Sequence, residues 1–308
     1  MIAVSVIIPT YNRLSFLPKT INSLLNQKAD DYEIIVVDDG STDGTEDYFK
    51  TFQHPRVKYF KIQNSERGYA RNYGAHCAEG NYVNFFDSDD LAYDNHISNA
   101  IAAISRLKNP EIFHMNYHLQ NTKGDELDFT KVSQDNINEM LIRKGNVLSC
   151  NGVFIRRDIA LQFPFCESRV LSGTEDYALW LAISTRFRIH FIPEITHVVI
   201  DHEQRSMASH DTIRMINRNM FLLDHLQTDA HFMQFVKDDF RFIECECYSF
   251  ISLHLILEGR NNEGLYFLSK AIKADILFPF RRVRFMAIMK HLIRTTFRLK
   301  SANTAEAT

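Results

Sequence analysis

Short apolar runs alternate with amphipathic segments over the first hundred residues of the chain. Four runs have the length of one strand and are rich in β-branched or aromatic residues, which is typical of strands buried on both faces; they are Val4–Pro9, Glu33–Val37, Val57–Ile62 and Asn81–Phe86. Each run is followed by a segment with helical spacing, and these segments are Leu14–Leu25, Ser41–Lys50, Gly68–Glu79 and Asp94–Leu107. We expect Ser15 to cap the first helix and Ser41 or Thr42 to cap the second. The alternation predicts an α/β fold with a mostly parallel sheet flanked by helices.

The pattern changes after residue 110 and again after residue 211. Strands are predicted at Ile112–Leu119, Cys150–Ile155, Ile189–Ile192 and Ile195–Ile200, with a helix at Glu175–Phe187. The last third has no strand pattern, and its predicted helices are Thr212–Leu226, His231–Leu257, Glu263–Ala274 and Phe280–Leu299. We therefore expect an α/β domain over residues 1–205, followed by a helical C-terminal region over residues 206–308.

The composition of this 308-residue chain is that of an ordinary globular protein. Hydrophobic residues make up 45% and charged residues 24%, which predicts a sizeable core and excludes a disordered or collagen-like chain. The net charge of −3 does not favour nucleic acid as a partner. The five cysteines form no CxxC pair, which argues against a zinc ribbon or a thioredoxin-like site. No signal peptide and no run of about 18 apolar residues is recognisable, so we expect a cytoplasmic protein.

Basic residues are concentrated near the C-terminus. Between Ile276 and Lys300 there are seven lysines or arginines and no acidic residue, whereas the first 275 residues carry a net charge of −9. Apolar residues at helical spacing lie among these basic residues, and such a basic amphipathic helix is typical of an element that binds a membrane surface. The alternative is a helix packed on the acidic domain or on a second subunit. We therefore keep two predictions for this segment: peripheral association with the inner face of the membrane, and formation of a homo-oligomer.

Polar residues gather in four clusters, three of which directly follow predicted strands. Ligands of an open α/β sheet bind at the carboxyl ends of its strands, and we expect all four clusters to share that location. The clusters are Thr10–Arg13, Asp38–Ser41 and Asp87–Asp90 after strands, and Thr174–Tyr177 at the start of a helix.

The first two clusters suit a nucleoside. A carboxylate after the second strand can accept the imide N–H of uracil, and Tyr11 can stack on the base. This interpretation is stronger for Asp39 than for Asp38, because Asp38 and Ser41 can equally well shape a turn and cap a helix.

The other two clusters suit a metal ion and a general base. Three carboxylates in Asp87–Asp90 repel one another unless a cation such as Mg²⁺ or Mn²⁺ neutralises them, although a solvated acidic turn is the alternative. Glu175 and Asp176 open a helix, where the macrodipole stabilises acidic residues even without a catalytic role. The catalytic interpretation requires one of these carboxylates to face a cleft.

Several common site motifs are absent from the sequence. No G-x-G-x-x-G follows a strand, which disfavours a Rossmann dehydrogenase. No G-x-x-x-x-G-K-[ST] occurs, which disfavours a P-loop NTPase, and no G-x-S-x-G occurs either.

The clusters and their surroundings resemble the family 2 glycosyltransferases of GT-A fold. The resemblance is carried by VSVIIPTYNR at Val4–Arg13, IIVVDDGSTD at Ile34–Asp43, RGYARN at Arg67–Asn72, GNYVNFFDSDD at Gly80–Asp90, and by Glu175 and Asp176 with Trp180. These motifs in this order are specific together, and they cover roughly residues 1–205. Residues 206–308 lie outside the resemblance.

The resemblance implies transfer of a sugar from a nucleotide sugar, expected to be a UDP-sugar, with inversion at the anomeric carbon. The implied acceptor is a hydroxyl of a saccharide or a polyprenyl-linked sugar, as in the synthesis of a bacterial surface polysaccharide. Asp176 matches the catalytic base, and Glu175 is expected to support it or to contact the acceptor. A cofactor, Mn²⁺ or Mg²⁺, is expected on Asp89, with Asp87 and His202 as further ligands. The implied nucleotide-sugar site consists of Pro9, Thr10, Tyr11, Arg13, Asp39, Arg71, Asp87 and Ser88.

The segment Asp201–Ser206 is a further candidate, because a loop in this place often closes over the diphosphate in this family. His202 is its expected metal ligand and Arg205 its candidate phosphate contact, while an exposed polar loop is the alternative. Two other functions stay open. A non-catalytic nucleotide-sugar-binding subunit would not need an intact Asp89 and Asp176. A sugar-phosphate nucleotidyltransferase would need a glycine-rich basic loop after the first strand, which is absent here.

Overall fold

The computed structural model describes residues 2–127, 136–202, 211–281 and 283–293. Over these residues the chain forms two compact units. Met1–Leu141 and Asn146–Ser209 make up the first unit, and Ile142–Gly145 and His210–Thr308 make up the second. The expected limit between residues 205 and 206 falls in the segment 203–210, outside the described residues.

A mixed sheet organises the first unit, and eight strands belong to it among the described residues. They are β1 (Val4–Thr10), β2 (Tyr32–Asp38), β3 (Val57–Lys61), β4 (Tyr82–Phe85), β5 (Leu91–Ala92), β6 (Ile112–Asn121), β7 (Val153–Arg156) and β8 (Ile189–Asp201). Their order across the sheet is β3-β2-β1-β4-β7-β6-β8-β5. The α/β fold class is confirmed, with parallel pairing from β3 to β4 and between β6 and β8.

The strand β7 runs antiparallel to both of its neighbours, β4 and β6. Because Asn84 near the end of β4 pairs with Phe154 near the start of β7, the residues just before β7 lie at the carboxyl end of β4. The antiparallel strand therefore brings residues 149–152 to the edge where the third polar cluster follows β4.

Two strands predicted at residues 189–192 and 195–200 are one strand, β8. The pairing of β8 with β6 shifts register where Met115 and Asn116 lie opposite Ile192 and Ile195. Pro193 lies within this irregular stretch and has no backbone N–H to donate to the neighbouring strand. The register shift accommodates the proline as a β-bulge, and the strand continues beyond it.

Helices connect the strands of the first unit. They are α1 (Leu17–Leu25), α2 (Thr45–Thr51), α3 (Arg67–Cys77), α4 (His96–Arg106), α5 (Ile137–Lys144), α6 (Arg157–Gln162) and α7 (Glu175–Ser184), of which α5 ends in the second unit. The capping predictions were wrong, because α1 begins after Phe16 and α2 after Gly44, neither with a side-chain cap. Asp43 instead accepts a hydrogen bond from the amide of Thr45 at 3.2 Å.

One core layer of the first unit lies between the sheet and the helices on one of its faces. Alternate residues of β1, such as Val6 and Ile8, pack in one buried cluster with Ile21 and Leu24 of α1. Each of these four side chains is fully buried. Burying a large aliphatic side chain contributes about 1.5–3 kcal/mol, so this layer fixes the position of β1 and of the loop that follows it.

The second unit is helical. Its helices are α8 (Thr212–Gln227), α9 (Ala230–Val236), α10 (Phe240–Leu257), α11 (Asn261–Ala274) and α12 (Phe278–Arg281), and residues 283–293 are also helical. The predicted single helix His231–Leu257 is interrupted at Lys237, whose φ of 42° is incompatible with a continuous α-helix. None of the described helices is long and apolar enough to cross a lipid bilayer.

Candidate active site

The carboxyl ends of β1, β2 and β4 meet at one edge of the sheet, where a cavity of about 320 Å³ opens. The register explains the meeting, because Thr10 at the end of β1 pairs with Asp38 at the end of β2. Seven of the eight residues predicted for the nucleotide-sugar site line the cavity, and Arg71 is the exception. The lining is Pro9, Thr10, Tyr11, Arg13, Asp39, Asn64, Glu66, Arg67, Asp87, Ser88, Asp89 and Arg169.

Asp39 lies on the cavity wall and is held by a neighbouring loop. Its two carboxylate oxygens accept hydrogen bonds from the amides of Ser65 at 2.6 Å and Glu66 at 2.9 Å. Burial raises the pKa of Asp39, and these amide hydrogen bonds offset part of the rise. The carboxylate is thus fixed in place and keeps further lone pairs for a ligand.

Asp38 and Ser41 have structural roles at the end of β2. Asp38 accepts hydrogen bonds from the amide of Ser41 at 2.7 Å and from the hydroxyl of Tyr59 at 2.6 Å. The hydroxyl of Ser41 accepts from the amide of Asn12, which ties the loop after β2 to the loop after β1. The turn interpretation of Asp38 is therefore the one that the structure supports.

The loop after β1 carries one exposed aromatic side chain, that of Tyr11. The side chain of Tyr11 is 50% exposed on the cavity wall, which leaves its ring accessible to a planar ligand. Asn12, with a φ of 52°, holds the left-handed turn that follows, and its side-chain oxygen accepts from the amide of Thr42. Thr10 is buried, and its hydroxyl has no hydrogen-bond partner among the described residues.

Arg71 lies behind the cavity and bridges two acidic residues. One guanidinium nitrogen donates to Glu175 at 2.6 Å, and the other donates to Asp87 at 2.9 Å. The group also lies over the ring of Phe165, at 5.1 Å from its centroid. Because Arg71 is only 2% exposed, its guanidinium contacts other side chains of the site and not solvent.

Glu175 is a buried carboxylate enclosed by donors. Besides Arg71, the amide of Gly173 donates to it at 2.6 Å, and Arg67 lies 3.7 Å away. Burial by itself would raise the pKa of Glu175, but the charges of Arg67 and Arg71 outweigh it and lower the pKa. Glu175 is therefore ionised at neutral pH and is poorly suited to exchange protons there.

Asp176 has the opposite character. Its carboxylate accepts hydrogen bonds from the side chain of Asn146 at 3.1 Å and from the amide of Tyr177 at 2.7 Å. Burial first, and then the negative charge of Glu175, raise the pKa of Asp176 to about 6. Two adjacent carboxylates with pKa values moved apart are typical of a pair in which one supports and the other transfers protons.

Asn151 organises the acidic cluster after β4. Its side chain accepts from the amide of Asp87 at 2.8 Å and donates to Asp90 at 2.6 Å. Asp90 also accepts from the amide of Ile200 at 2.8 Å and is almost fully buried. Asp90 is thus an anchor of the turn, and Asp87 and Asp89 are the carboxylates that face the cavity.

Asp89 and His202 form the pair that fits a divalent cation. The Oδ2 atom of Asp89 lies 3.1 Å from Nε2 of His202 and 3.7 Å from Nε of Arg13. His202 stacks on Phe16, and its Nδ1 atom is buried without a hydrogen-bond partner among the described residues. An oxygen and an imidazole nitrogen on opposed side chains suit Mn²⁺ or Mg²⁺, which commonly take their other ligands from water and substrate phosphates.

The structure does not add Asp87 to this pair. No group of three His, Cys, Asp or Glu side chains in the described part of the chain is arranged to hold a metal ion. Asp87 is instead engaged by Arg71, as described above. Arg205, the candidate phosphate contact, lies outside the described residues.

Several residues of the site were not predicted from the sequence. Arg169 donates to Asn64 at 2.7 Å and to Glu66 at 3.2 Å, and thereby closes one side of the cavity. Asn146 donates a hydrogen bond to Asp176, and Asn151 forms hydrogen bonds with Asp87 and Asp90. None of these residues follows a strand of the parallel half of the sheet, so the strand-end signal could not find them.

The sequence profile of Glycosyl transferase family 2 matches residues 5–160 of the 308-residue chain. The chain is 31% identical over 186 residues to a putative teichuronic acid biosynthesis glycosyltransferase, TuaG of Bacillus subtilis, covering 58% of this chain and 71% of TuaG. It spans about a third of the length of a relative from Rickettsia conorii, an uncharacterized glycosyltransferase that is 32% identical over 61% of this chain.

Solved structures share the fold at low sequence identity. The structure of S. aureus TarS 1-349 in complex with UDP-GlcNAc has a TM-score of 0.59 and 18% identity, with 89% of each chain covered. The mannosyltransferase PcManGT from Pyrobaculum calidifontis in complex with GDP-Man and Mn²⁺ also has a TM-score of 0.59, with 17% identity over 96% of this chain and 79% of that chain. Both structures support the GT-A type of fold. The profile match spans about half of the sequence and shows that the chain belongs to glycosyl transferase family 2.

Proposed function

We propose that this protein is an inverting glycosyltransferase that moves a sugar from a nucleotide sugar to an acceptor hydroxyl. The observation that carries the proposal is the link between two sites. Pro9, Thr10 and Tyr11 line the cavity together with Asp39 and Asp87, and Arg71 connects Asp87 to Glu175 beside Asp176. Glu175 and Asp176 do not line the cavity themselves. The charge of Asp87 on the cavity wall nevertheless contributes to the raised pKa of Asp176, which supports a donor in the cavity lying close to the candidate base.

The donor is a nucleoside diphosphate sugar, with UDP as the favoured nucleotide. Asp39 offers a fixed carboxylate to the imide N–H of uracil, and Tyr11 offers its exposed ring to the base. TarS binds UDP-GlcNAc within the same fold, which supports this choice, while the GDP-Man complex of PcManGT makes GDP-sugars the comparison donors.

A divalent cation would be held by Asp89 and His202, and it would offset the negative charge that develops on the departing diphosphate. Arg13 lies 3.7 Å from Asp89 and adds a fixed positive charge beside this position. The Mn²⁺ in the PcManGT complex supports a metal-dependent reaction in this chain as well.

Asp176 is the proposed general base. It accepts the proton of the acceptor hydroxyl while that oxygen forms a bond to the anomeric carbon. The bond from the anomeric carbon to the diphosphate oxygen breaks on the opposite face, and its electron pair leaves with the nucleoside diphosphate. With its pKa raised to about 6, Asp176 is ionised at neutral pH and still basic enough to take the proton.

Glu175 and Arg71 are positioning residues in this scheme. The guanidinium of Arg71 keeps Glu175 ionised, and the charge of Glu175 in turn contributes to the raised pKa of Asp176. The acceptor is a hydroxyl of a saccharide or of a polyprenyl-linked sugar. The similarity to TuaG favours a role in the synthesis of a cell-surface polysaccharide.

A screen of donor hydrolysis tests this function. Release of nucleoside diphosphate from UDP-sugars and GDP-sugars is measured with Mn²⁺, with Mg²⁺ and with EDTA. We expect slow hydrolysis of a UDP-sugar that stops in EDTA and is lost in Asp89→Ala. The exposed substitution Asp47→Ala on α2 is the matched control and should leave the rate unchanged. Full activity in EDTA would remove the metal from the mechanism, and failure to bind any nucleotide sugar would overturn the proposal.

A further inference from the structure

The helical segment 283–293 is apolar on two opposite sides. Ile288 is fully buried and packs with Phe285 and Leu292 in the core of the second unit, against Cys245 and Ile256 of α10. These three side chains have the i, i+3, i+7 spacing of one helix face. The helix is therefore already anchored to the rest of its unit by a complete apolar stripe.

The other side of the same segment is apolar and exposed. Val283 is 87% exposed, Met286 64% and Ile293 50%, and their spacing of three and seven residues places them on one face. Lys290 completes this face, since it lines the same shallow apolar groove. A helix that is apolar around most of its surface is expected to have a second contact on its free side.

Further exposed apolar side chains come just before this helix in the sequence. Ile276 is 77% exposed, Leu277 41% and Phe280 86%. We call these three residues, together with Val283, Met286 and Ile293, the outer residues. Six large apolar side chains exposed within 18 residues are more than scattered surface hydrophobics and mark an interaction site.

The charges around the outer residues have a single sign. No acidic residue occurs between Ile276 and Lys300, and seven basic residues do. One of the seven, Arg284, is used internally, because it pairs with Glu246 at 2.6 Å and donates to Ser249 at 3.0 Å. Three further basic residues belong to the segment 276–293, namely Arg281, Arg282 and Lys290, and the sequence between Ile276 and Lys300 offers them no acidic partner.

We propose that the segment 276–293 docks the second unit on an anionic lipid membrane surface. Its outer residues enter the boundary between headgroups and acyl chains, and the basic residues bind lipid phosphates. Apolar residues and basic residues together, without acidic ones, are the combination that an interfacial helix requires. Each basic residue close to an anionic leaflet adds to the affinity, and the sum disappears with rising salt.

A second copy of this chain is the less suitable occupant. In a symmetric dimer the same patch faces itself, so the basic residues of both copies would lie together without acidic partners. Like charges in one interface are unfavourable, whereas an anionic leaflet is complementary to all of them. The charge pattern thus decides between the two occupants of an apolar surface.

Vesicle co-sedimentation of the full chain tests the proposal without any measurement of sugar transfer. We expect binding to vesicles that contain phosphatidylglycerol, weak binding to phosphatidylcholine alone, and loss of binding as NaCl increases. Phe280→Ser with Val283→Ser should lower the partition coefficient by about tenfold or more, since two large apolar side chains no longer enter the interface. Lys290→Glu should lower it about fivefold or more.

The matched control is Leu265→Ser with Tyr266→Ser, which removes two exposed apolar side chains of α11 outside the proposed surface. This variant should bind vesicles like the unmodified protein. Circular dichroism shows whether each variant keeps its helices, and size-exclusion chromatography with light scattering measures its oligomeric state. Vesicle binding that ignores lipid charge, or a dimer that Phe280→Ser with Val283→Ser dissociates while vesicles stay unbound, would overturn the proposal.

Discussion

Arg71 joins two parts of the candidate site that lie far apart in the sequence. Its motif predicts a residue of the nucleotide-sugar site, but only the structure shows that Arg71 is buried and bonds to Asp87 and Glu175. The sequence cannot reveal this bridge, because the partners are separated from Arg71 by 16 and 104 positions. The positive charge of Arg71 therefore acts both on Asp87 at the cavity and on Glu175, the neighbour of the proposed base.

Asn146 provides a test of the base at the same scale. Asp176 must be ionised to accept a proton, so we expect the reaction rate to fall as the pH drops below about 6. Asn146→Ala removes a hydrogen bond that favours the ionised carboxylate, which raises the pKa of Asp176 further and moves this limb to higher pH. The pH dependence of kcat/KM measures the shift.

The control for this experiment is Asn262→Ala, at an exposed position of α11. It should leave the pH profile in place. An acid limb that does not move in Asn146→Ala, with the rate simply reduced at every pH, would show that Asn146 acts on the fold and not on Asp176.

At the scale of elements, the parallel half of the sheet was predictable and the loops around it were not. Apolar runs of strand length identify β1, β2 and β4, and polar residues directly after them must meet at one edge. Asn151 enters through the antiparallel strand β7, whose direction no local pattern encodes. The same limit applies to Arg169, which begins a short 3-10 helix and lines the cavity.

The loop 64–66 holds Asp39 at the expense of backbone strain. Glu66 has φ 78° and ψ 159°, a region that essentially only glycine occupies without cost. Its amide nevertheless donates to Asp39, so the surrounding contacts hold the strained conformation. Glu66→Gly should be more stable than Glu66→Ala by about 1–2 kcal/mol, because both lose the same carboxylate and only glycine relieves the strain.

Denaturant unfolding followed by Trp180 fluorescence measures this difference, since Trp180 is the single tryptophan and is fully buried in the first unit. A second pair, Gln63→Gly and Gln63→Ala, is the control in the same loop without a positive φ. If Glu66→Ala is as stable as Glu66→Gly, the strain is not present in solution.

At the scale of the whole molecule, three histidines are fully buried among the described residues of the first unit, namely His96, His114 and His197. Burial lowers the pKa of His96 and of His114 to about 3, and it lowers that of His197 well below its ordinary value. Hydroxyl partners satisfy two of the neutral rings, with Thr196 bonded to His96 and Ser149 bonded to His197, whereas Nδ1 of His114 has no hydrogen-bond partner among the described residues. These histidines are therefore polar parts of the core and not metal ligands.

Acid should consequently destabilise the first unit. The unfolded histidines take up protons below about pH 6.5 while the folded ones stay neutral, so stability is lost as the pH falls from there toward 3. Each histidine contributes up to about 1.4 kcal/mol per pH unit below pH 6. His96→Gln should reduce the slope of unfolding free energy against pH, and the exposed His231→Gln should not. An unchanged slope in His96→Gln would contradict this account.

Membrane docking also concerns the whole molecule, and it does not depend on the mechanism of sugar transfer. The acidic first 275 residues and the basic C-terminal segment give the chain a charge asymmetry that the net charge of −3 hides. Docking through the second unit would concentrate the enzyme where a lipid-linked acceptor lies. If the acceptor is a soluble saccharide instead, vesicle binding and sugar transfer are still measured and interpreted separately.

The most direct test of the central claim separates donor binding from catalysis at Asp176. Asp176→Asn keeps the size and shape of the side chain, but its amide cannot accept the acceptor proton. Titration calorimetry with the UDP-sugar found in the screen should give a Kd within about twofold of the unmodified protein, while kcat for transfer falls about 10²–10⁴-fold. Asp39→Ala should show the reverse, with weakened donor binding. Transfer at an undiminished rate in Asp176→Asn would contradict the assignment of the base and with it the proposed mechanism.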